Sequence, residues 1–158
     1  MNEKSIDEAD PKPESGGAYD YRGRVHPQYA PENDGDPDAG EIVWAWVPYE
    51  EDPTLGKDRP IVLVGLALDA PGDFVALMLS SHQRDNYPGW VAIGSGAWDD
   101  EERESWVRVD RALAITPDAV RREGAALNQE QFKAIVDEAR RAFTPSPTDS
   151  KNMEESRP

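Results

Sequence analysis

The sequence predicts a mainly β protein with some α, a small curled antiparallel sheet or barrel followed by an amphipathic helix. Three observations predict it. Five apolar runs of strand length follow one another at short intervals between Glu41 and Ile115. Turn clusters such as Pro71-Gly72-Asp73 and Pro88-Gly89 separate them. A last stretch, 128–143, then repeats its apolar residues at helical spacing.

The first strand is Glu41–Val47. Ile42, Trp44 and Trp46 alternate with Val43, Ala45 and Val47, so both faces are apolar and both should be covered. Ile61–Leu68 is a continuous apolar run entered through Arg59-Pro60. Phe74–Leu79 and Trp90–Ile93 follow their turn clusters, and Ser105–Ile115 is the longest run, with charge at alternate positions. Thr116-Pro117-Asp118 reads as an N-cap with proline in the first turn, which predicts a short helix ending at Gly124. A second helix starts at Asn128, with Gln131 placed for a capping box. Phe132, Ile135, Val136, Ala139 and Phe143 line one face, and Thr144-Pro145-Ser146-Pro147 ends it.

Composition divides the chain into one domain, 40–143, and two tails. Residues 1–39 are rich in Asp, Glu, Pro and Gly and read as a disordered acidic arm, with an aromatic and basic island at AYDYRGRVHPQYAP. That island reads as a loose tail or as a strap over a partner chain or RNA. Residues 144–158 read as a disordered C-terminal tail. The absence of cysteine excludes disulfides and thiolate metal sites, and two histidines cannot build a histidine cage, so no metal or cofactor is expected. No run is long and apolar enough for a membrane span, and the first residues carry no apolar signal core, which predicts a cytoplasmic protein without a membrane partner. The net charge of −15, with 19 acids against 11 bases in 40–143, argues against tight, unspecific nucleic-acid binding. Any grip on RNA must come from a local patch.

Three groups of residues could carry chemistry. In a strand, Arg108 and Asp110 point to one face and Val107 and Val109 to the other. Such a pair reads first as a surface ion pair, worth about 0–1 kcal/mol. It also suits phosphoryl chemistry, because the carboxylate can accept a proton and the guanidinium can hold two phosphate oxygens. Arg59, fixed by the rigid Pro60 after it, is the second group, with Asp58 as an alternative partner. Ser80-Ser81, which end a strand, are the third, and ordinary turn chemistry explains them as well. No Walker loop, GxGxxG, HExxH, zinc spacing or nucleophile elbow occurs.

The stretch GEIVWAWVPYEEDPTLGKDRPIVLVG, 40–65, resembles the opening of the PemK/MazF family, the toxin ribonucleases of type II toxin–antitoxin pairs. Trp106-Val107-Arg108-Val109-Asp110 is similar to the catalytic strand of its Kid/PemK branch. The resemblance covers about 40–143 and implies an SH3-like β-barrel (PemK/MazF/CcdB type) closed by the C-terminal helix. It implies Asp110 as general base, Arg108 as the group that stabilises phosphate charge, and Arg59, Ser80 and Ser81 as substrate contacts. His82, in the loop after Ser81, and Lys57, where Kid-like members carry a loop histidine, join them as candidates. The activity implied is sequence-selective, metal-independent cleavage of single-stranded mRNA to a 2′,3′-cyclic phosphate. The partners implied are a cognate antitoxin, a second copy in a homodimer, and operator DNA only through the antitoxin. The acidic first loop and the missing loop histidine leave an alternative, a catalytically silent binding module or a relative of the gyrase-directed toxins.

Overall fold

The computed structural model describes residues 9–30, 38–81, 89–96, 98 and 101–143, with backbone only at 122–124, 142 and 143. In chain order, strands β1 (Tyr19–Asp20) and β2 (Val25–Pro27) precede the predicted domain. Then come β3 (Glu41–Pro48), β4 (Gly56–Ala67), β5 (Phe74–Ser80), β6 (Trp90–Gly94), β7 (Ser105–Arg108), β8 (Leu113–Ile115) and β9 (Arg121–Ala126). Helix α1 (Gln129–Phe143) ends the described chain. The protein is mainly β with one C-terminal helix, as the sequence predicts.

All strand pairs are antiparallel, and the main path runs β1-β8-β5-β4-β3-β9. Strand β2 pairs β4, β7 pairs β5, and β6 pairs β7. Among the described residues this ladder does not close on itself, while the expected class, a mainly β domain with a C-terminal helix, stands. Period-two alternation places the core on both faces. Val62, Val64, Leu77 and Leu79 pack on one side with Phe132 and Ile135 of α1. Ile61, Leu63, Ala76 and Met78 pack on the other with Val43, Val47 and Leu113. Proline is tolerated at position 60 because β4 pairs β5 only from Ile61 onward, where the partner is Met78.

Three expectations change. The predicted strand Ser105–Ile115 is two strands, β7 and β8, with a bend at 109–112. Along β5, Ala76 pairs Leu113 and Leu79 pairs Val107, so the two residues of β5 between these pairs face five of its partner and three are extruded. The bend is satisfied from outside the ladder. The Val109 N–H donates to Gly89 O at 2.7 Å, and Ala112 O accepts from the Tyr21 N–H at 2.9 Å. The predicted helix at 116–124 is a single 3₁₀ turn, Pro117–Ala119. The chain then turns into β9, which satisfies the outer edge of β3.

The third change is at the N-terminus. Residues 9–30 are not a free arm but lie on the sheet. Ala18 and Tyr21 are buried, and Gly65 lacks a Cβ where one would overlap the backbone carbonyl of His26 in β2. Asp10 O accepts from Trp46 Nε1 at 2.8 Å, and Asp10 Oδ2 accepts from the Asp58 N–H at 2.9 Å. The tail 144–158 lies outside the described residues.

The capping box of α1 forms as predicted. The Asn128 N–H donates to Gln131 Oε1 at 2.9 Å, and the Gln131 N–H donates to Asn128 Oδ1 at 2.7 Å. Gln131 Nε2 also donates to Ile93 O at 2.8 Å, which ties the helix start to β6.

Candidate active site

Beside the β3–β4 hairpin lies an open groove of about 530 Å³. Lys57, Arg59, Ser80, Ser81 and Arg108 all line it. The fold brings them together through register. Lys57 and Arg59 lie opposite Val47 and Ala45 on β3, and Ser80 pairs Trp106 where β5 passes from β8 to β7. Ser80 is buried and Ser81 half-buried. Asp58, the alternative partner of Arg59, bridges to Arg121 at 3.1 Å. His82 lies outside the described residues.

Arg108 ends β7 with its side chain 20% exposed, and two carboxylates hold it. Its Nε donates to Asp110 Oδ1 at 2.6 Å. Its Nη1 and Nη2 donate to Glu50 Oε1 and Oε2 at 2.8 and 3.2 Å, a two-pronged grip on the loop after β3. Burial of the guanidinium opposes its charge, but the bonds to Glu50 and Asp110 outweigh it and raise its pKa above the ordinary value. The same bond from Arg108 holds the Glu50 carboxyl below its ordinary range. The expected contact of Arg108 with Asp110 is therefore made. It is made across the bend, not along a continuous strand.

Asp110 stands apart from the groove. It lines a second hollow of about 630 Å³ on the other side of the Arg108 contact. Gly89 underlies it, with φ +86, at a place where a Cβ would overlap the Asp110 carboxylate. Glu50 and Arg111 line both hollows. Arg111 is buried, with Nε donating to Asp20 Oδ1 at 2.7 Å and Nη2 to Pro48 O at 2.9 Å. The bond from Arg111 lowers the Asp20 pKa against the opposing effect of burial.

Three participants have no clear sequence signal. Glu50 reads as an acid that opposes anions, because nothing in the sequence shows that it faces Arg108. Asp20 is 91 positions from Arg111. Arg111 adjoins the candidate pair but points into the core. Among the described residues no group of three or more His, Cys, Asp or Glu could hold a metal ion, and no helix is long and apolar enough to cross a membrane.

Chemically, the groove offers cationic side chains and hydroxyls to a phosphodiester, with an exposed carboxylate touching the central guanidinium. The fold has solved relatives. An endoribonuclease in complex with its cognate antitoxin, from a mycobacterial species, is 19% identical with a TM-score of 0.52 over 70% of this chain and 99% of its own. A MazE–MazF structure from Deinococcus radiodurans is 17% identical with a TM-score of 0.51 over 72% of this chain and 100% of its own. No functionally curated protein matches the chain. Residues 38–143 match the family described as "PemK-like, MazF-like toxin of type II toxin-antitoxin system". With most of its length inside that match, the chain belongs to the PemK/MazF toxin family.

Proposed function

We propose that the protein is a sequence-selective endoribonuclease that cleaves single-stranded RNA, the toxin half of a toxin–antitoxin pair. The observation that carries the reading is the 2.6 Å contact between Arg108 and Asp110 beside a groove lined by Arg59 and Ser80. Asp110 takes the proton of a ribose 2′-hydroxyl, and that oxygen attacks the adjacent phosphorus. The bond to the 5′-oxygen breaks, which leaves a 2′,3′-cyclic phosphate and a 5′-oxygen that takes a proton from water. Arg108 offsets the charge on the non-bridging oxygens, for which its fork must leave Glu50. Arg59, Lys57, Ser80 and Ser81 position the strand, and His82 follows them in sequence. The substrate supplies its own nucleophile, so the mechanism calls for no metal or cofactor.

The partners in this reading are mRNA, an antitoxin and a second copy of the chain, with operator DNA reached only through the antitoxin. The mycobacterial and Deinococcus relatives described with antitoxins support the second of these. A monomer by light scattering at micromolar concentration would sink the homodimer.

One observation favours the alternative of a catalytically silent binding module or gyrase-directed relative. The Arg108 fork is already occupied by Glu50. A cleavage assay with the purified protein separates the readings. The expected result is cleavage unaffected by EDTA, with 5′-hydroxyl ends, abolished by Arg108→Ala. No cleavage by the wild type favours the silent module, and loss of cleavage in EDTA refutes the mechanism.

A further inference from the structure

We propose that residues 10–20 are a positioning strap for the candidate active site, with Asp10 and Asp20 as its anchors on the two limbs of the β3–β4 hairpin. The proposal rests on the ribonuclease reading and adds to it residues outside the stretch 38–143 that matches the family. The hairpin carries Lys57 and Arg59 on its second limb and Glu50 in the loop between the limbs. Its far half leaves the sheet. β3 pairs β9 no further than Trp44, and β4 pairs β5 only from Ile61. Over 45–48 and 56–60, among the described residues, the ladder has only these two strands. A two-stranded ribbon is marginal by itself in water. The groove needs this one held, because phosphate contacts serve cleavage only when they are fixed relative to Arg108.

The N-terminal segment supplies the missing neighbours. On the β4 side, the Asp10 N–H donates to Gly56 O at 2.8 Å, and Asp10 Oδ2 accepts from the Asp58 N–H at 2.9 Å. On the β3 side, the Ala18 N–H donates to Trp46 O at 2.8 Å. Between these bonds the segment crosses the Trp46 side chain. Trp46 Nε1 donates to Asp10 O, Lys12 Nζ lies 5.4 Å from the ring centre, and Gly17 has no Cβ where one would overlap the ring. Trp46 is buried as a result, although it stands on the projecting ribbon. Asp58 lies between Lys57 and Arg59, so a bond to its N–H fixes the backbone that aims both.

Asp20 holds the other limb through a relay. Its carboxylate accepts from Arg111 Nε and Nη2 at 2.7 and 3.2 Å, and Arg111 Nη2 donates to Pro48 O at 2.9 Å. Pro48 ends β3, two positions before the Glu50 that grips Arg108. Pro48 also pairs Gly56, whose carbonyl Asp10 binds. One rung of the ribbon is thus held at both ends from the same segment. The bonds of the strap go to the limbs. Loosening it displaces Lys57 and Arg59, while the Arg108–Asp110 contact, held by β7 and the bend, stays in place. The strap therefore acts on substrate binding more than on the chemical step.

The test is steady-state cleavage of a single-stranded RNA by the full chain, comparing wild type with Asp10→Ala, Asp10→Asn and Asp20→Ala. Asp10→Ala removes the acceptor for the Asp58 N–H. KM should rise by about fivefold, the worth of one hydrogen bond, with kcat within about twofold of wild type. Asp10→Asn removes the same charge but keeps an acceptor oxygen, so its KM should be that of wild type. Asp20→Ala breaks the relay and should raise KM at least as much as Asp10→Ala. A variant that is only less stable loses active molecules, so its apparent kcat falls while KM stays. For either alanine variant, an unchanged KM or a fall in kcat alone overturns the strap and leaves the ribonuclease reading standing. A KM raised equally by Asp10→Asn also overturns it, since the acceptor is what Asp10 is proposed to supply. Should Asp20→Ala fail to fold, the two Asp10 variants decide. A wild type that cleaves no RNA refutes the ribonuclease reading itself, and the strap with it.

Discussion

Arg108 and Arg111 are three positions apart, and each is held by carboxylate, yet their surroundings differ. Arg108 keeps contact with solvent, and its partners Glu50 and Asp110 are 57% and 44% exposed. Arg111 is buried, and its fork is spent on Asp20, on the Pro48 carbonyl and on the Met78 sulfur at 3.8 Å. The bend at 109–112 makes the difference, because it turns one guanidinium to the groove and the other into the body of the protein. A guanidinium with exchangeable partners can serve a ligand. One whose partners are fixed by the backbone serves the fold.

The largest expected effect tests the Arg108 side. Asp110→Asn keeps shape but cannot act as a base near neutral pH. RNA cleavage should fall by about 10²–10⁴-fold with little change in RNA affinity. A variant that cuts at the wild-type rate removes Asp110 from the chemistry.

The next effect tests the Arg111 side. Removing one member of a buried ion pair costs about 3–5 kcal/mol. Asp20 can recover some hydration, so Arg111→Ala should cost about 3 kcal/mol or somewhat less in urea unfolding. Arg108→Ala, between exposed carboxylates, should cost only about 0–1 kcal/mol. Equal losses for the two would erase the distinction.

A smaller effect sharpens it by pH. Asp20 and Glu50 both have lowered pKa values in the folded chain, so the unfolded chain binds the proton more readily. Their contribution is complete above the ordinary carboxylate values of 3.8 and 4.5 and is lost as the pH falls below them. Asp20→Asn should flatten the acid limb of a stability–pH curve, and a curve of unchanged steepness would refute the linkage.

The smallest effect concerns Glu50. If it occupies the place of a substrate phosphate, Glu50→Gln should tighten RNA binding by up to about fivefold, the equivalent of about 1 kcal/mol for an exposed pair. Weaker binding would mean that Glu50 orients Arg108 instead of competing with substrate.

Much of this contrast could be read from residues, and the reasons for the remainder are physical. The strands β3, β4 and β5 and the cap of α1 follow from local patterns, namely period-two alternation and the Asn128–Gln131 reciprocity. So does the proximity of Arg108 to Asp110, which two-residue spacing ensures in a strand and the bend does not destroy. The bend itself was not legible. It exists because β5 changes partner along its length, which is a property of the sheet and not of residues 105–115. The start at Thr116–Pro117 reads as a helix for lack of knowledge that the edge of β3 needs β9. The acidic N-terminus reads as disorder because its apolar anchors are sparse, and their pockets are built by residues far along the chain.

The pairing of Tyr19 with Ala114 has a consequence for the order of assembly. Strand β1 needs a partner that is made about ninety residues later, so it must wait while β3, β4 and β5 form. Contacts of such long sequence separation close late and slowly. The second hollow, which shares that segment and also takes Val136, Ala139 and Arg140 as lining, cannot be complete on a nascent chain until about residue 140 is clear of the exit tunnel.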